Sequence, residues 1–306
     1  MNRITLVRAP NPSPMTLSGT NTYLVAAPDG SAICIDPGPA MELHVAAILE
    51  RARAEHLRIV GIAITHGHPD HAPAAAALAH ATGAPVYAHP ASAVPHDRSL
   101  RDGDEVRFGE GVLLAYDAPG HTLEHLVFYA PESRTLFSGD TVLGEGYVVV
   151  APPAGAMRPY QRTLERLLEL LPDGATIHPG HGPRITDARA TVRDYIAHRQ
   201  AREAELLSAL REGPRTLVEL VSRIYARTPR ALWPAAARQL LAYLIPLEEE
   251  GRVRAEPLRR PLEAHEEAVL NPSWETVVGR DHAAVVEAEL GAQVRLAVAY
   301  RYSLAA

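Results

Sequence analysis

The sequence predicts an α/β fold for the first 185 of its 306 residues and a smaller α domain after them. Apolar runs rich in Val and Ile alternate with Ala- and Leu-rich stretches at helical spacing, which is typical of alternating strands and helices. Turn signals rich in Pro, Gly and Asp separate these runs. Histidine or aspartate follows four of the apolar runs, which indicates a scaffold whose strand ends carry a functional site.

The first two predicted strands form a hairpin, because Pro28-Asp29-Gly30 between them is a turn sequence with Gly where a positive φ is needed. A helix follows where Leu43, Ala47 and Leu49 recur at helical spacing. In chain order we expect strands at 22–27 and 31–35, a helix at 41–53, a strand at 59–64, a helix over the Ala-rich stretch 72–81, strands at 85–88, 105–108, 112–117, 126–129 and 135–137, a helix at 159–171 and a strand at 175–178.

The segment Thr65-His66-Gly67-His68-Pro69-Asp70-His71 follows the strand at 59–64. His66 and His68 are two residues apart, so in an extended segment their side chains point the same way. Asp70 and His71 are expected at the start of a helix, where Pro69 is tolerated in the first turn. One loop thus offers two groups of metal ligands, of types that suit zinc and also iron or manganese. The alternative is a polar loop of hydrogen-bonded histidines.

Three further candidate ligands, His121, Asp140 and His181, each follow a later strand. Glycines at 120, 139, 180 and 182 lie beside them and let the backbone turn sharply while keeping Cβ atoms away from an ion. Four strand ends therefore converge on one candidate metal site.

These residues resemble the pattern of the metallo-β-lactamase-fold hydrolases, His-x-His-x-Asp-His followed by a His, an Asp and a last His. The resemblance implies an αββα sandwich with two divalent metal ions, most often zinc. It also implies that Asp36 supports the ligand loop without binding metal. By position, the first ion would be held by His66, His68 and His121, the second by Asp70, His71 and His181, and Asp140 would bridge both.

Several further motifs are similar to the β-lactamase-like protein 2 family, which includes an endoribonuclease acting on single-stranded RNA. They are Ser18–Tyr23, Pro119–Thr122, Phe137–Asp140 with Leu143–Gly146, and His178–Pro183. The same family has a winged-helix-like C-terminal domain. Helices are expected here at 186–211, at 216–225 after the capping box Thr216–Glu219, and at 231–250, with a wing strand at 252–254. Pro246 is expected to kink or shorten the third helix.

We therefore expect three parts: a catalytic domain at 1–185, a winged-helix-like domain at 186–257 and a C-terminal extension at 258–306. In the extension, Val294, Leu296, Val298 and Tyr300 alternate with polar or small residues, which predicts a strand with one buried face. This strand packs either on its own chain or on a partner in a homo-oligomer.

The formal charge also differs between these parts of the chain. The formal charge is −7 over residues 1–183, +5 over 184–260 and −4 over 261–306, and every basic residue apart from histidine is Arg. The basic segment favours a polyanionic partner or a solvated helical surface.

The sequence has no run of about 18 apolar residues and no signal-peptide pattern at its start, so we expect no membrane association and a cytoplasmic location. The one cysteine, Cys34, is expected in the core.

Two ions sharing a water would lower its pKa and supply a bridging hydroxide as nucleophile. Asp70 is the candidate to accept and return a proton. His125 is a second candidate catalytic residue, and the alternative is that it only makes a structural hydrogen bond.

β-Lactam hydrolysis is disfavoured because the thiolate ligand and substrate-binding Lys of many true lactamases have no counterpart in this sequence. The 40 residues between Asp140 and His181 leave no room for the inserted domain of the β-CASP nucleases.

We expect a two-metal phosphodiesterase, an endoribonuclease on single-stranded RNA. Three alternatives remain open. They are a thioester or ester hydrolase of glyoxalase II type, a mononuclear iron enzyme such as a persulfide dioxygenase, and a nucleic-acid-binding protein whose metal is structural.

Overall fold

The computed structural model describes residues 3–275, 283, 287 and 299–305. Close contacts divide the chain into two units. The first comprises Met1–Val148 and Thr163–Arg193, and the second comprises Val149–Arg162 and Asp194–Ala306. The three-part division at 185/186 and 257/258 stays a prediction.

A mixed six-stranded sheet and a five-stranded sheet form the first unit. The strands of the six-stranded sheet are β1 (Arg3–Arg8), β2 (Asn21–Ala26), β3 (Ser31–Ile35), β4 (Arg58–Ala63), β5 (Val86–Ala88) and β6 (Arg98–Ser99). They lie in the order β1-β2-β3-β4-β5-β6, antiparallel among the first three strands and parallel from β3 onward.

The strands of the five-stranded sheet are β7 (Glu105–Phe108), β8 (Gly111–Asp117), β9 (Leu126–Ala130), β10 (Thr135–Gly139) and β11 (Thr176–Pro179). They lie in the order β11-β10-β9-β8-β7, and only β10 and β11 are parallel.

The two sheets pack face to face around one apolar core. Tyr23, Ile33 and Ile35 of the first sheet meet Phe108 and Phe128 of the second. The alternate residues of the first sheet, including the fully buried Cys34, face a second core with the helices α1 (Glu42–Ala54) and α2 (Ala75–Thr82). Both faces of β2 and β3 are covered, which is why these strands read as unbroken apolar runs.

Helix α2 begins later than the sequence predicts. It starts at Ala75, so Asp70 and His71 lie in the preceding turns and not in its first turn. Pro73 supplies the reason, because its ring restricts the residue before it and it has no amide hydrogen to continue a helix from upstream.

The second unit holds the predicted winged-helix elements. They are α4 (Ala188–Arg211, of which the part from Asp194 belongs here), α5 (Leu217–Ile224) and α6 (Trp233–Glu249), preceded in the chain by α3 (Met157–Leu170). The capping box at Thr216 and Glu219 is present, which confirms that prediction. Helix α6 continues past Pro246 to Glu249, so the proline does not shorten the helix there, and the alternative expectation of a kink stays a prediction. Pro246 lies near the C-terminal end of α6, where it removes one hydrogen bond, and the next residue, Leu247, is fully buried.

The tail pairs with this unit. Strand β14 (Tyr300–Leu304) lies between β12 (Arg215–Thr216) and β13 (Val253–Pro257) and is antiparallel to both. The predicted alternation begins at Val294, and its residues before 299 lie outside the described part of the chain. A short helix, α7 (Ala264–Leu270), lies between β13 and β14 in sequence. None of the described helices is long and apolar enough to cross a membrane, and the cytoplasmic location stays a prediction.

Candidate metal centre

Asp36, directly after β3, organises the loop that follows β4. Its backbone lies in the left-handed region (φ 48°), which Asp tolerates better than most residues. Its carboxylate accepts hydrogen bonds from the amide and the hydroxyl of Thr65, both at 2.7 Å, and lies 2.8 Å from His71 Nδ1. One buried carboxylate therefore holds both ends of the ligand loop.

The first group of ligand-type atoms comes from His66, His68 and His121. His68 Nδ1 lies 3.0 Å from His66 Nε2 and 3.1 Å from His121 Nε2. All three side chains are buried. Nitrogens bound at about 2.0–2.1 Å to a tetrahedral zinc ion would lie roughly 3.3 Å apart. The spacing of these three nitrogens is therefore compatible with one such ion.

The second group consists of Asp70, His71 and His181. Asp70 Oδ2 lies 3.3 Å from His71 Nε2 and 3.0 Å from His181 Nε2, and the two imidazole nitrogens are 3.2 Å apart. Asp140 lies beside both groups, with its Oδ1 3.5 Å from His71 Nε2 and its Oδ2 3.4 Å from His181 Nε2 and 3.9 Å from His121 Nε2. All seven sequence-predicted ligands thus meet in one place, contributed by the ends of four strands.

Two carboxylate oxygens in this cluster are buried without a hydrogen-bond partner among the described residues. They are Asp70 Oδ1 and Asp140 Oδ1. A buried carboxylate oxygen is costly to leave without a donor or a cation. The imidazole nitrogens and carboxylate groups that converge in this cluster form a set of ligands that fits divalent metal ions.

The two groups differ in their electrostatics. Burial lowers the pKa of His68 to about 3, and burial with the neighbouring histidines holds the pKa of His66 well below its ordinary value. These imidazoles are neutral, and neutral imidazole is the form that binds metal. Burial opposes the charge of His181 as well, but the carboxylates of Asp140 and Asp70 outweigh it and raise the pKa of His181 to about 10.

The pKa values of the two carboxylates shift in the direction opposite to that of His181. Burial works against ionisation of Asp70, yet His71 and His181 hold its pKa well below the ordinary value. The same two histidines lower the pKa of Asp140 against the effect of burial. This part of the site therefore requires positive charge, and a divalent ion binding there would displace protons from the histidines.

His125 lies behind the first group. Its ring stacks on that of His66 with centroids 4.7 Å apart and planes at 19°. Its Nε2 accepts the amide hydrogen of Asp140 at 3.2 Å, and its Nδ1 lies 3.4 Å from Thr141 Oγ1. Both ring nitrogens thus face the loop that carries Asp140, which favours the structural alternative, and a catalytic role for His125 stays a prediction.

Three residues at the start of the chain support the site and were not among the predicted site residues. Asn21 donates its side-chain amide to the carbonyls of Pro179 (3.0 Å) and Gly182 (2.9 Å), and Tyr23 donates its hydroxyl to the Pro179 carbonyl at 2.8 Å. Thr20 donates its hydroxyl to Asp70 Oδ2 at 3.1 Å. All three residues lie within the family motif Ser18–Tyr23, but the sequence does not indicate what any of them does in the site.

Family models match both parts of the chain. Residues 15–181 match the metallo-β-lactamase superfamily, and residues 216–259 match the β-lactamase-associated winged-helix domain.

Similar proteins cover most of the chain. A β-lactamase-like protein 2 homolog from Caenorhabditis elegans is 31% identical and is aligned over 82% of this chain and 85% of its own length. A Drosophila melanogaster protein of the same name is 33% identical over 80% and 87%. The crystal structure of a metallo-β-lactamase family protein from Thermus thermophilus superposes with a TM-score of 0.69 at 25% identity, covering 83% of this chain and 95% of that one.

Proposed function

Since the chain belongs to the metallo-β-lactamase superfamily of hydrolases, we propose that it is a two-metal endoribonuclease that cleaves phosphodiester bonds in single-stranded RNA. The convergence of seven His and Asp side chains in one buried cluster carries the metal-dependent part of this proposal. The RNA substrate is supported by the charge of +5 over residues 184–260 and by the family resemblance of the sequence motifs.

We assign the two groups as the two ion sites. His66, His68 and His121 would hold one ion, Asp70, His71 and His181 the other, and Asp140 faces both. Zinc suits this set of imidazole and carboxylate donors best, with manganese or iron as alternatives. Divalent ions bound here would activate a water molecule at neutral pH and polarise the scissile bond.

The residues of the chain supply proton transfer and orientation. Asp70 is ionised because its pKa is low, and its Oδ1 has no hydrogen-bond partner among the described residues. We assign this oxygen to accept the proton of the attacking water and to return it to the leaving oxygen. His125 holds the Asp140 amide and thereby the position of the Asp140 carboxylate.

A thioester or ester hydrolase is the second candidate. The metal-bearing segment 1–183 carries a formal charge of −7, and Phe, Trp and Tyr together make up 5% of the chain. Both features fit a small substrate better than they fit a polyanion whose bases stack on aromatic rings.

The test is incubation of zinc- or manganese-loaded protein with end-labelled single-stranded RNA. We expect internal fragments from the wild type and a loss of more than about 100-fold in His68→Ala and Asp70→Ala, because each variant removes a metal ligand. His80→Ala is the matched control, since His80 is an exposed residue of α2 outside the cluster.

Intact RNA after incubation with fully metallated wild type would refute the phosphodiesterase proposal. Turnover of a thioester panel by the same sample would then establish the second candidate. RNA binding that survives metal removal, without turnover of either substrate, would indicate a nucleic-acid-binding protein with structural metal.

A further inference from the structure

The Thr20 hydroxyl is a buried contact of Asp70 that the proposed mechanism does not use. It donates to Asp70 Oδ2 at 3.1 Å, and both residues are fully buried. The other groups within reach of Oδ2 are the imidazole nitrogens of His181 at 3.0 Å and His71 at 3.3 Å.

Those two imidazoles cannot hold Asp70 once an ion is present. A metal-bound imidazole nitrogen offers its lone pair to the ion and has no hydrogen left to donate. Among the described residues, Thr20 is then the one side chain that offers Asp70 a hydrogen. Its hydroxyl therefore determines which carboxylate oxygen is held in place.

Asn11 sets the direction of the Thr20 hydroxyl. Asn11 Oδ1 accepts the Thr20 amide hydrogen at 2.9 Å, and Asn11 Nδ2 lies 3.0 Å from Thr20 Oγ1. The contact with the Thr20 amide identifies the oxygen end of the Asn11 side chain, so the other end is its NH₂ group. The contact with Thr20 Oγ1 is therefore an N–H that Asn11 donates to the hydroxyl oxygen. The single hydroxyl hydrogen of Thr20 is then left to point at Asp70.

The backbone keeps this arrangement in register with the ligand loops. Thr20 forms an antiparallel bridge with His181, and the Asn21 amide donates to the Gly180 carbonyl at 2.8 Å. The Ala9 amide donates to the Thr20 carbonyl, also at 2.8 Å. Residues 9–21 are thus tied to the segment that carries His181, another member of the same ligand group.

We propose that Asn11 and Thr20 form a positioning relay that fixes the Asp70 carboxylate for the second ion. The relay engages Oδ2 and leaves Oδ1 without a hydrogen-bond partner among the described residues. This inference rests on the proposed two-ion site, but it does not depend on which substrate is hydrolysed.

The direct test removes the hydroxyl and then restores it. In Thr20→Val we expect the affinity for one of the two zinc ions to fall about 10–100-fold, the usual effect of losing a partner that orients a ligand. Thr20→Ser keeps the hydroxyl and should restore the affinity to within about threefold. Affinities come from chelator-competition titrations, and cobalt-substituted protein should show an altered visible spectrum in Thr20→Val but not in Thr20→Ser.

Asn11→Asp tests the direction of the relay. The new carboxylate can still accept the Thr20 amide hydrogen, but it cannot donate to the hydroxyl and instead attracts its hydrogen. We therefore expect a loss of zinc affinity similar to that of Thr20→Val. Thr135→Val is the control for burying a valine in place of a threonine, because Thr135 is buried in β10 and contacts Ser133 and Thr176 but none of the seven ligands.

Each outcome decides the proposal. Wild-type zinc affinity and an unchanged cobalt spectrum in Thr20→Val would overturn it, and so would equal losses in Thr20→Val and Thr20→Ser, which would indicate packing and not the hydroxyl. Thermal melts of the metal-free variants identify any variant that fails to fold. If Thr20→Val fails to fold, the zinc affinity of Asn11→Asp tests the proposal instead. A wild type that binds two ions but leaves RNA intact refutes only the endoribonuclease, whereas a wild type that cannot bind two ions refutes both proposals.

Discussion

At the scale of single residues, Gly180 shows how little space surrounds the candidate ligands. A Cβ atom at this position would lie 2.4 Å from Asp140 Oδ1 and 2.7 Å from His71 Cε1. Neither neighbour can move without leaving its place in the cluster. Gly67 lies between two candidate ligands in sequence, but there the nearest atoms to a Cβ are 3.5 Å away.

We predict that Gly180→Ala loses bound metal and hydrolytic activity, whereas Gly67→Ala keeps its full metal content. The reason is steric, because the added methyl group displaces Asp140 or His71 only at position 180. Elemental analysis of the purified variants measures the metal content. Two ions per chain in Gly180→Ala would contradict the assignment of Asp140 and His71 as ligands.

The candidate ligands could be predicted from the sequence because their chemistry and spacing are local. His66, His68, Asp70 and His71 lie within six residues, and each later candidate is next to a glycine. The residues that hold the ligand loops in place could not be predicted in the same way. The Asn21 side chain bonds to carbonyls 158 and 161 positions away, and such a contact exists only after the two sheets have packed.

At the scale of elements, β14 changes the interpretation of the C-terminal extension. Its residues pair with β12 on one side and β13 on the other, so the tail provides the central strand of the second unit's sheet. Tyr302, with 6% exposure, is buried at the middle of this strand. The sequence pattern predicted a strand, but alternation cannot identify the pairing partner.

We predict that Arg301→Pro destabilises the second unit, whereas Arg301→Ala does not. Arg301 is exposed and pairs with Thr216 and Glu256, so proline there removes a hydrogen bond from a central strand while alanine keeps the backbone donor. The expected cost is about 1–3 kcal/mol of unfolding free energy. Denaturant titration followed by tryptophan fluorescence measures it, since both Trp233 and Trp274 lie in this unit. Equal stability of the two variants would show that β14 contributes little to this unit.

At the scale of the whole molecule, charge is divided between the parts of the chain. The acidic segment 1–183 contains the candidate metal ligands, whereas the basic excess lies in 184–260. Within the second unit, Arg202, Arg223, Tyr225 and Arg227 line one groove. Arg227 is exposed, and no carboxylate among the described residues forms an ion pair with it, whereas Arg107 in the first unit is paired with Glu105.

If the substrate is RNA, we predict that binding by metal-stripped protein weakens with salt. Each neutralised phosphate of a single strand contributes about 0.7 to the slope of log affinity against log salt, so about three contacts cost roughly 20-fold between 50 and 200 mM salt. Arg227→Gln should lower the slope by about 0.7, and Arg107→Gln should leave it unchanged. Fluorescence anisotropy with labelled RNA measures both. A slope near zero would instead favour the thioester or ester hydrolase.

Local periodicity, turn residues and residue chemistry were enough to predict the class of fold, the order of most strands and helices, and the candidate ligands. The folded structure was needed for whatever depends on contacts between separate segments. It brought four strand ends into one cluster of seven side chains, placed the Thr20 hydroxyl against Asp70 and the Asn11 side chain against Thr20, and paired β14 within its own chain. The physical reason is that hydrogen bonds and strand pairing between separate segments of the chain leave no periodic pattern in the sequence of either segment.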